Sequence, residues 1–308
     1  MIRRLGALLA LAFLVSCNGG GVCGNCTVPP YNATGATAPG GTPVIPPGVI
    51  ATPAPATLSC NQGGAAIPLG AALAPFALLA ASTITNTGLS IVTYAPTAIT
   101  AGTHDDLIGV SPGTAVTGFY PPGVDADGPN AIYAAGYNTN AAVPLAAQNA
   151  LTTAYNATAA AGPVTQTFVG GQDLSQATYV GGGQPVGTLP PGIYASPSTL
   201  SIMAGNLTLN GLGNPQSVFI FQIGSSFTTT LNGLASGNVI LTNGATACNV
   251  FWQIGSSATL GGATFYGNVM AQSSVTLTSS AAFTSRALAR TGGVTISAAT
   301  LVTNPGGQ

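Results

Sequence analysis

Lysine and glutamate are absent from this 308-residue chain, histidine occurs once, and charged residues of all kinds make up only 3%. Two of the four arginines are Arg3 and Arg4, so the rest of the chain sets two Arg against five Asp. A nucleic-acid surface must neutralise many phosphates with Lys and Arg, so this composition excludes nucleic acid as a partner. General acid–base catalysis wants paired carboxylates or a His with an orienting partner, and His104 beside Asp105 is the one such pair in the chain. The chain is therefore read as a non-enzyme with no cofactor. Its surface must be built from Thr, Ser, Asn, Gly and Ala, which is polar but uncharged, while 46% apolar residues suffice for a core.

The N-terminus, MIRRLGALLALAFLVSCNGG, reads as a secretion signal: two Arg, then an apolar run too short to span a bilayer. Its end, Leu14-Val15-Ser16-Cys17, resembles the bacterial lipobox. That resemblance implies removal of residues 1–16, lipid attachment at Cys17 and, with Asn18 following, placement on the outer membrane or cell surface. Ordinary secretion is the alternative. Residues 17–62 are rich in Gly, Pro, Thr and Ala without a sustained apolar period, and read as a tether. Cys23 and Cys26 form a C-x-x-C in Gly-rich sequence without a following helix, which argues against a thioredoxin-like site. Cys60 and Cys248 are either a disulfide pair in an oxidising compartment, or Cys248 is a buried thiol beside Val250 and Phe251.

The remaining domain, 63–308, changes pattern once. Residues 143–160 are the best helix: Ala-rich, with Pro144 in the first turn and Gly162-Pro163 at the end. Leu145, Ala146, Asn149, Ala150, Thr153 and Ala154 fall near helical spacing and form a stripe of small residues suited to lying on a sheet. After Gly162 come many short strands separated by Gly, Ser and Asn. FQIGSSFTT, WQIGSSATL, AQSSVTL and RTGGVTI align on Thr228, Thr259, Thr276 and Thr295. A repeat of about 20 residues with three short strands in each is the signature of a β-solenoid coil.

Alternation sorts the faces. In ATL, VTL and VTI the flanking residues point inward, so Thr259, Thr276 and Thr295 point out, with Ser257, Ser274, Thr278 and Ser297 beside them and Thr228 extending the row. A second strand per coil (ATFYG, AAFTS, ATLVT) buries Phe265, Phe283 and Leu301 and exposes Thr264, Ala282, Thr284 and Thr300. The third (VFIFQ, NVFWQ, NVMAQ, RALAR) is apolar at almost every position, so both of its sides must be covered, one by the core and one by the helix. Arg286 and Arg290 lie in this covered strand and are expected to pair an Asp or backbone carbonyls at a corner.

These phrases, with FALLAASTITNTG at 76, GVSPGTAVTGF at 109 and ACNVFWQIGSSATLGGATFYGNV at 247, resemble the DUF3494 family of ice-binding proteins over roughly residues 69–303. The resemblance implies an all-β solenoid: a discontinuous right-handed β-helix of triangular cross-section, with the N-terminal segment paired beside the C-terminal coils and one α-helix along a face. It implies ice as the partner, met by a flat Thr/Ser/Ala face whose candidates are Thr228, Thr259, Thr276, Thr278 and Thr295 on one side and Thr264, Ala282, Thr284 and Thr300 on the other. Some members carry T-A/G-x-T/N steps on the ice face; Ser297 to Thr300 comes close to that pattern, while Gly261 to Thr264 and Ser279 to Ala282 depart from it. A further departure is the inserted stretch YAPTAITAGTHDDLIGVSPG holding His104, Asp105 and Asp106.

Ice is a water lattice, so a protein must order its own first water layer on a flat, rigid array. Solenoid coils stack about 4.7–4.9 Å apart, and outward residues i and i+2 lie about 6.6–6.8 Å apart along a strand. Threonine offers a hydroxyl, a methyl and a stiff rotamer, and also has high β propensity on any exposed sheet. The competing reading is a surface adhesin or structural envelope lipoprotein that binds polysaccharide or a protein; a glycan enzyme would need carboxylate and aromatic clusters that are missing. His104-Asp105-Asp106 and Asp125-x-Asp127 are ordinary loop composition without a full ligand set, and no metal site is assigned.

Overall fold

The structure is a computed structural model that describes residues 67–94, 106–229, 236–278, 282–297 and 300–306. Cys17, Cys23, Cys26, Cys60, His104 and Asp105, with the readings attached to them, lie outside the described residues. Three strands per coil, all paired in parallel, wind a three-sided solenoid. The first side carries eight very short strands in the order Ala115–Thr117, Thr83–Asn86, Val294–Ile296, Val275–Leu277, Ala258–Leu260, Phe227–Thr229, Leu200–Ile202 and Gln172–Asp173. Most show the same alternation, flanks buried and centre half-exposed.

Two eight-residue strands, Thr264–Ala271 and Ala282–Ala289, run continuously around one corner. Their first halves lie on the second side; their second halves join Val250–Ile254 and Phe219–Ile223 on the third. Gly267 makes the bend in the first of them: its φ is +116°, and a Cβ there would sit 2.8 Å from the Trp252 indole nitrogen and the Val250 carbonyl oxygen. Nearer the start of the coils the second side continues as a separate sheet of Thr188–Leu189, Leu207–Asn210 and Val239–Thr242.

The stack is discontinuous in sequence. Phe76–Ala80 pairs with Ala282–Ala289, Thr83–Asn86 with Val294–Ile296, and Ile91–Tyr94 with Leu301–Asn304, so the N-terminal coils sit on the end of the C-terminal ones. The long helix Ala142–Ala160, about 28 Å by its 1.5 Å rise per residue, carries the chain from those coils to Gln166–Thr167 at the other end of the stack. It packs on the third side, whose strands Val250–Ile254 and Phe76–Ala80 are buried throughout, as two-sided apolar strands require. Among the described residues no helix is long and apolar enough to cross a membrane.

The helix presents a largely different stripe from the one read in the sequence, with Ala154 common to both. Pro144, Ala147, Gln148, Leu151, Ala154, Tyr155 and Thr158 are buried, while Leu145 is 51% exposed. An Ala-rich helix has nearly equal hydrophobicity all round, so propensity sets no phase. The phase comes from two side chains that reach third-side carbonyls: Gln148 Nε2 donates to Ala289 O at 3.2 Å and Tyr155 Oη to Ile254 O at 3.2 Å.

Inside the coil an aromatic column runs Phe168, Tyr194, Phe221, Trp252, with centroid spacings of 5.9, 5.4 and 4.0 Å, and continues through Phe265 to Phe283. Each such contact adds about 0.5–1.5 kcal/mol beyond its buried area. Beyond Phe283 the inward row becomes aliphatic, Val302 and then Val92. That row corrects the sequence reading of the last coil. Ala282 pairs with Leu301 and Phe283 with Val302, so Leu301 points outward at 39% exposure and Val302 is buried. A one-residue slip exchanges the faces, and with Leu followed by Val either phase buries an apolar residue. Thr300 accordingly turns in at the corner, 1% exposed, with its hydroxyl toward Ser297 O.

Candidate ice-facing surface

On the first side the central outward positions fall into one file. Registered pairing joins Asp173, Ser201, Thr228, Thr259, Thr276, Thr295, Thr85 and Thr117, one from each of the eight strands. Seven steps of about 4.8 Å make the file roughly 34 Å long. Six consecutive members are threonine. Their flanks, such as Ala258 and Leu260, Val275 and Leu277, or Val294 and Ile296, are 0–1% exposed, so the backbone beneath the file is clamped to the core. Where the flank is polar, it is bonded: Asn86 Nδ2 donates to Gly88 O and Gly118 O, both at 2.8 Å, and Thr229 Oγ1 accepts from Gly261 N at 2.8 Å.

A second row beside the file has a different task. Thr278 Oγ1 donates to Leu260 O at 3.2 Å, Ser297 Oγ to Leu277 O at 3.0 Å and Thr87 Oγ1 to Ile296 O at 3.4 Å, so these hydroxyls tie each coil to the one before it. Among the described residues, Thr259, Thr276 and Thr295 make no such tie and leave their hydroxyls to solvent. Four of the sequence candidates, Thr228, Thr259, Thr276 and Thr295, are thus brought together, with Thr278 alongside. Sequence alignment missed Thr85, Thr117 and Ser201. The alternation in TIT and AVT was the available signal, but only the pairing of the N-terminal coils places the first two in the row.

The file's single charge stands at one end. Partial burial pushes the Asp173 carboxyl up, but N–H groups of Ala204, Met203 and Ser175 and the Ser175 hydroxyl donate to it and hold it below the usual carboxylate range. It caps the backbone at the start of the coils.

The second side is less regular. Its outward rows are Thr264, Ala282, Leu301, Ile91, Val124 and, beside them, Tyr266, Thr284, Thr303, Thr93. Bulky Tyr266, Ile91 and Leu301 break the level, and a groove lined by Asn238, Ile240, Thr264 and Tyr266 separates its two sheets. Thr264, Ala282 and Thr284 are together here, but Thr300 is not part of this surface.

The remaining chemical candidates fall away from both faces. Arg286 is fully buried at the corner, donating through Nε and Nη2 to Ala74 O at 3.1 and 2.7 Å and through Nη1 to Asn268 Oδ1 at 2.7 Å. Arg290 donates to Gln272 Oε1 and lies 4.4 Å over the Tyr155 ring. Cys248 is fully buried and disulfide-bonded, which sets aside the buried-thiol reading, while its pairing with Cys60 lies outside the described residues. Gly109 to Gly113 spells G-x-S-x-G, yet it joins strand Leu107–Val110 to strand Ala115–Thr117, not to the helix a nucleophile elbow requires. Among the described residues no three His, Cys, Asp or Glu side chains converge on a metal position.

A helix-braced, discontinuous β-solenoid with a file of six threonines along one side defines a class, and comparison identifies it: the chain belongs to the Ice-binding-like family, whose pattern matches residues 78–302. It is 39% identical over 225 residues to an ice-binding protein of Nostoc sp. (strain HG1), covering 72% of this chain and 68% of that one. An ice-binding protein from an Antarctic biological consortium superposes with a TM-score of 0.59 at 33% identity, over 77% of this chain and 91% of its own. The DUF3494 domain of Shewanella frigidimarina ice-binding protein 1 gives 0.58 at 29% identity, over 77% and 97%.

Proposed function

We propose that this protein binds ice without catalysing a reaction, and that the first side is the surface that meets the crystal. The observation that carries this reading is the file of six threonines on consecutive strands, level, rigid and uncharged. Buried flanks fix the height of each Thr, and β-branching fixes its χ1. Hydroxyls at the coil spacing then anchor a row of waters while the methyls between them favour cage-like hydration. Lys and Glu, with mobile and strongly hydrated heads, would disorder that layer, and the chain has neither. A lipid on Cys17 with the tether 17–62 would display the domain at the cell surface, suited to adhesion to ice or to limiting recrystallisation around the cell.

The second side supports a different role. Leu301, Ile91 and Val124 form an exposed apolar row in register, and a surface adhesin would use such a row against a polysaccharide or protein. Fluorescently labelled protein offered to a growing ice hemisphere separates the readings. Thr276→Tyr is expected to abolish uptake and Thr284→Tyr to leave it intact; the reverse result would move the ice surface to the second side. No uptake by the folded parent would leave the adhesin reading.

A further inference from the structure

On the first side, the residue after each file threonine points inward, and in three successive coils it is apolar: Leu260, Leu277 and Ile296. The next coil breaks this row. Asn86 registers on Ile296 and is 4% exposed, so a side-chain amide stands where its neighbours supply a hydrocarbon chain. A buried amide destabilises unless its groups are bonded. Here they are: Nδ2 donates to Gly88 O and to Gly118 O, both at 2.8 Å, and Oδ1 accepts from Gly88 N at 3.3 Å.

The glycines around this amide show what it holds. Strand Ala115–Thr117 pairs on Thr83–Asn86 as far as Thr117 on Thr85, and Gly118 follows. Gly118 has φ +80°, and a Cβ there would sit 1.7 Å from Asn86 O; a Cβ on Gly123 would sit 2.1 Å from Asn86 Nδ2. Both turns close on Asn86 as tightly as only glycine permits. Gly123 N also donates to Gly118 O at 3.0 Å, so the amide and this turn meet at one carbonyl. Thr117 ends the file, its Oγ1 3.5 Å from Thr85 Oγ1, and the residue after it has no side chain to pack inward. We propose that Asn86 is the positioning residue for this end of the file: its amide holds Gly118 and so sets the height of Thr117 against Thr85, as apolar flanks do in the inner coils. Its part in function rests on the ice-binding reading; the joint itself rests on hydrogen bonds alone.

The chemistry required at this position is narrow. Leucine would continue the apolar row but donates nothing, leaving Gly88 O and Gly118 O without this donor. Aspartate has the shape of asparagine and, when ionised, only accepts hydrogen bonds; protonated, it regains one O–H donor. Neither change should unwind the stack, because Ile84 and Val116 stay paired and buried beneath the strands. The effect is local: strand Ala115–Thr117 loosens and Thr117 leaves the level of the file.

Two measurements on the whole chain test this. Amide exchange reads the joint without ice: at pH 7, Asn86→Leu and Asn86→Asp are each expected to lower the protection of Gly123 N about tenfold or more, while Gly255 N, which donates to Ile223 O in the middle coils, keeps its protection. Ice uptake reads the consequence. Both variants should fall to the level of Thr117→Ala, and Asn86→Leu combined with Thr117→Ala should fall no further. Burial raises a carboxyl, so at about pH 4 Asn86→Asp should be the neutral acid and regain protection and uptake relative to the parent at the same pH. Should Asn86→Leu not fold, Asn86→Asp followed from pH 4 to pH 7 answers the same question. Unchanged protection at Gly123, equal loss at Gly255, a further fall in the double variant, no recovery in acid, or full uptake by Thr117→Ala would each overturn the assignment. A parent that takes no place in ice, with the exchange results as expected, rejects the ice reading and with it the functional role of Asn86, while the joint stands.

Discussion

At the scale of residues, the interior of this protein is apolar by alternation and polar only at its corners. The corner that matters most is Arg286, whose guanidinium joins Asn268 on one coil to Ala74 on the incoming N-terminal segment, where Asn304 Nδ2 also donates to Ala74 O at 3.2 Å. Asn268 in turn donates to Cys248 O and Val250 O, both at 3.0 Å. A charge this deep is retained because every partner is bonded to it. Arg286→Met is expected to cost about 3 kcal/mol, since Asn268 Oδ1 and Ala74 O lose a charged donor without gaining water; urea unfolding at neutral pH measures it. The sequence placed Arg286 in a strand apolar on both faces, where it needed either an Asp or backbone carbonyls as partner; the carbonyl of Ala74 and the side chain of Asn268 take that place. Which carbonyl answers it was not legible, because Ala74 lies 212 residues away.

At the scale of elements, strands were more legible than the helix. A three-residue strand such as VTL has only one arrangement that buries both apolar residues, so its outward Thr276 follows from period two alone. The helix existed in the sequence by propensity, but its rotation did not. Side chains at Leu145 and Leu151 look equivalent in composition, and packing separates them: Leu151 is fully buried between helix and sheet, Leu145 faces out. Leu151→Ala is expected to destabilise by about 2–4 kcal/mol and Leu145→Ala by less than about 0.5 kcal/mol, compared by thermal or urea unfolding. Equal losses would mean that the helix sits at a different rotation.

At the scale of the whole molecule, the chain's order and the stack's order differ. Coils from Gln166 to Asn304 come first, and the N-terminal coils are added beyond them, the long helix carrying the chain back between. Two of the six file threonines therefore come from a segment some 200 residues away from their neighbours in sequence: Thr85 pairs beside Thr295. If the file works as one surface, Thr85→Tyr should weaken ice uptake as Thr276→Tyr does, even though no local repeat marks it; the ice-hemisphere assay with both variants checks this. Uptake unaffected at Thr85 would confine the ice contact to the C-terminal coils.

By itself the sequence determined the solenoid, its three kinds of side and the uncharged character of its surface, because these depend on local alternation, repeat length and composition. It also placed Thr228, Thr259, Thr276 and Thr295 in line, since the repeat aligns them directly. Only tertiary structure decided the phase of Leu301 and Val302, the inward turn of Thr300, the rotation of the helix, and the addition of Thr85 and Thr117 to the file. Each of these turns on register between segments distant in the chain. Register is chosen by the sum of many side-chain contacts across a coil, and no short stretch of sequence contains that sum.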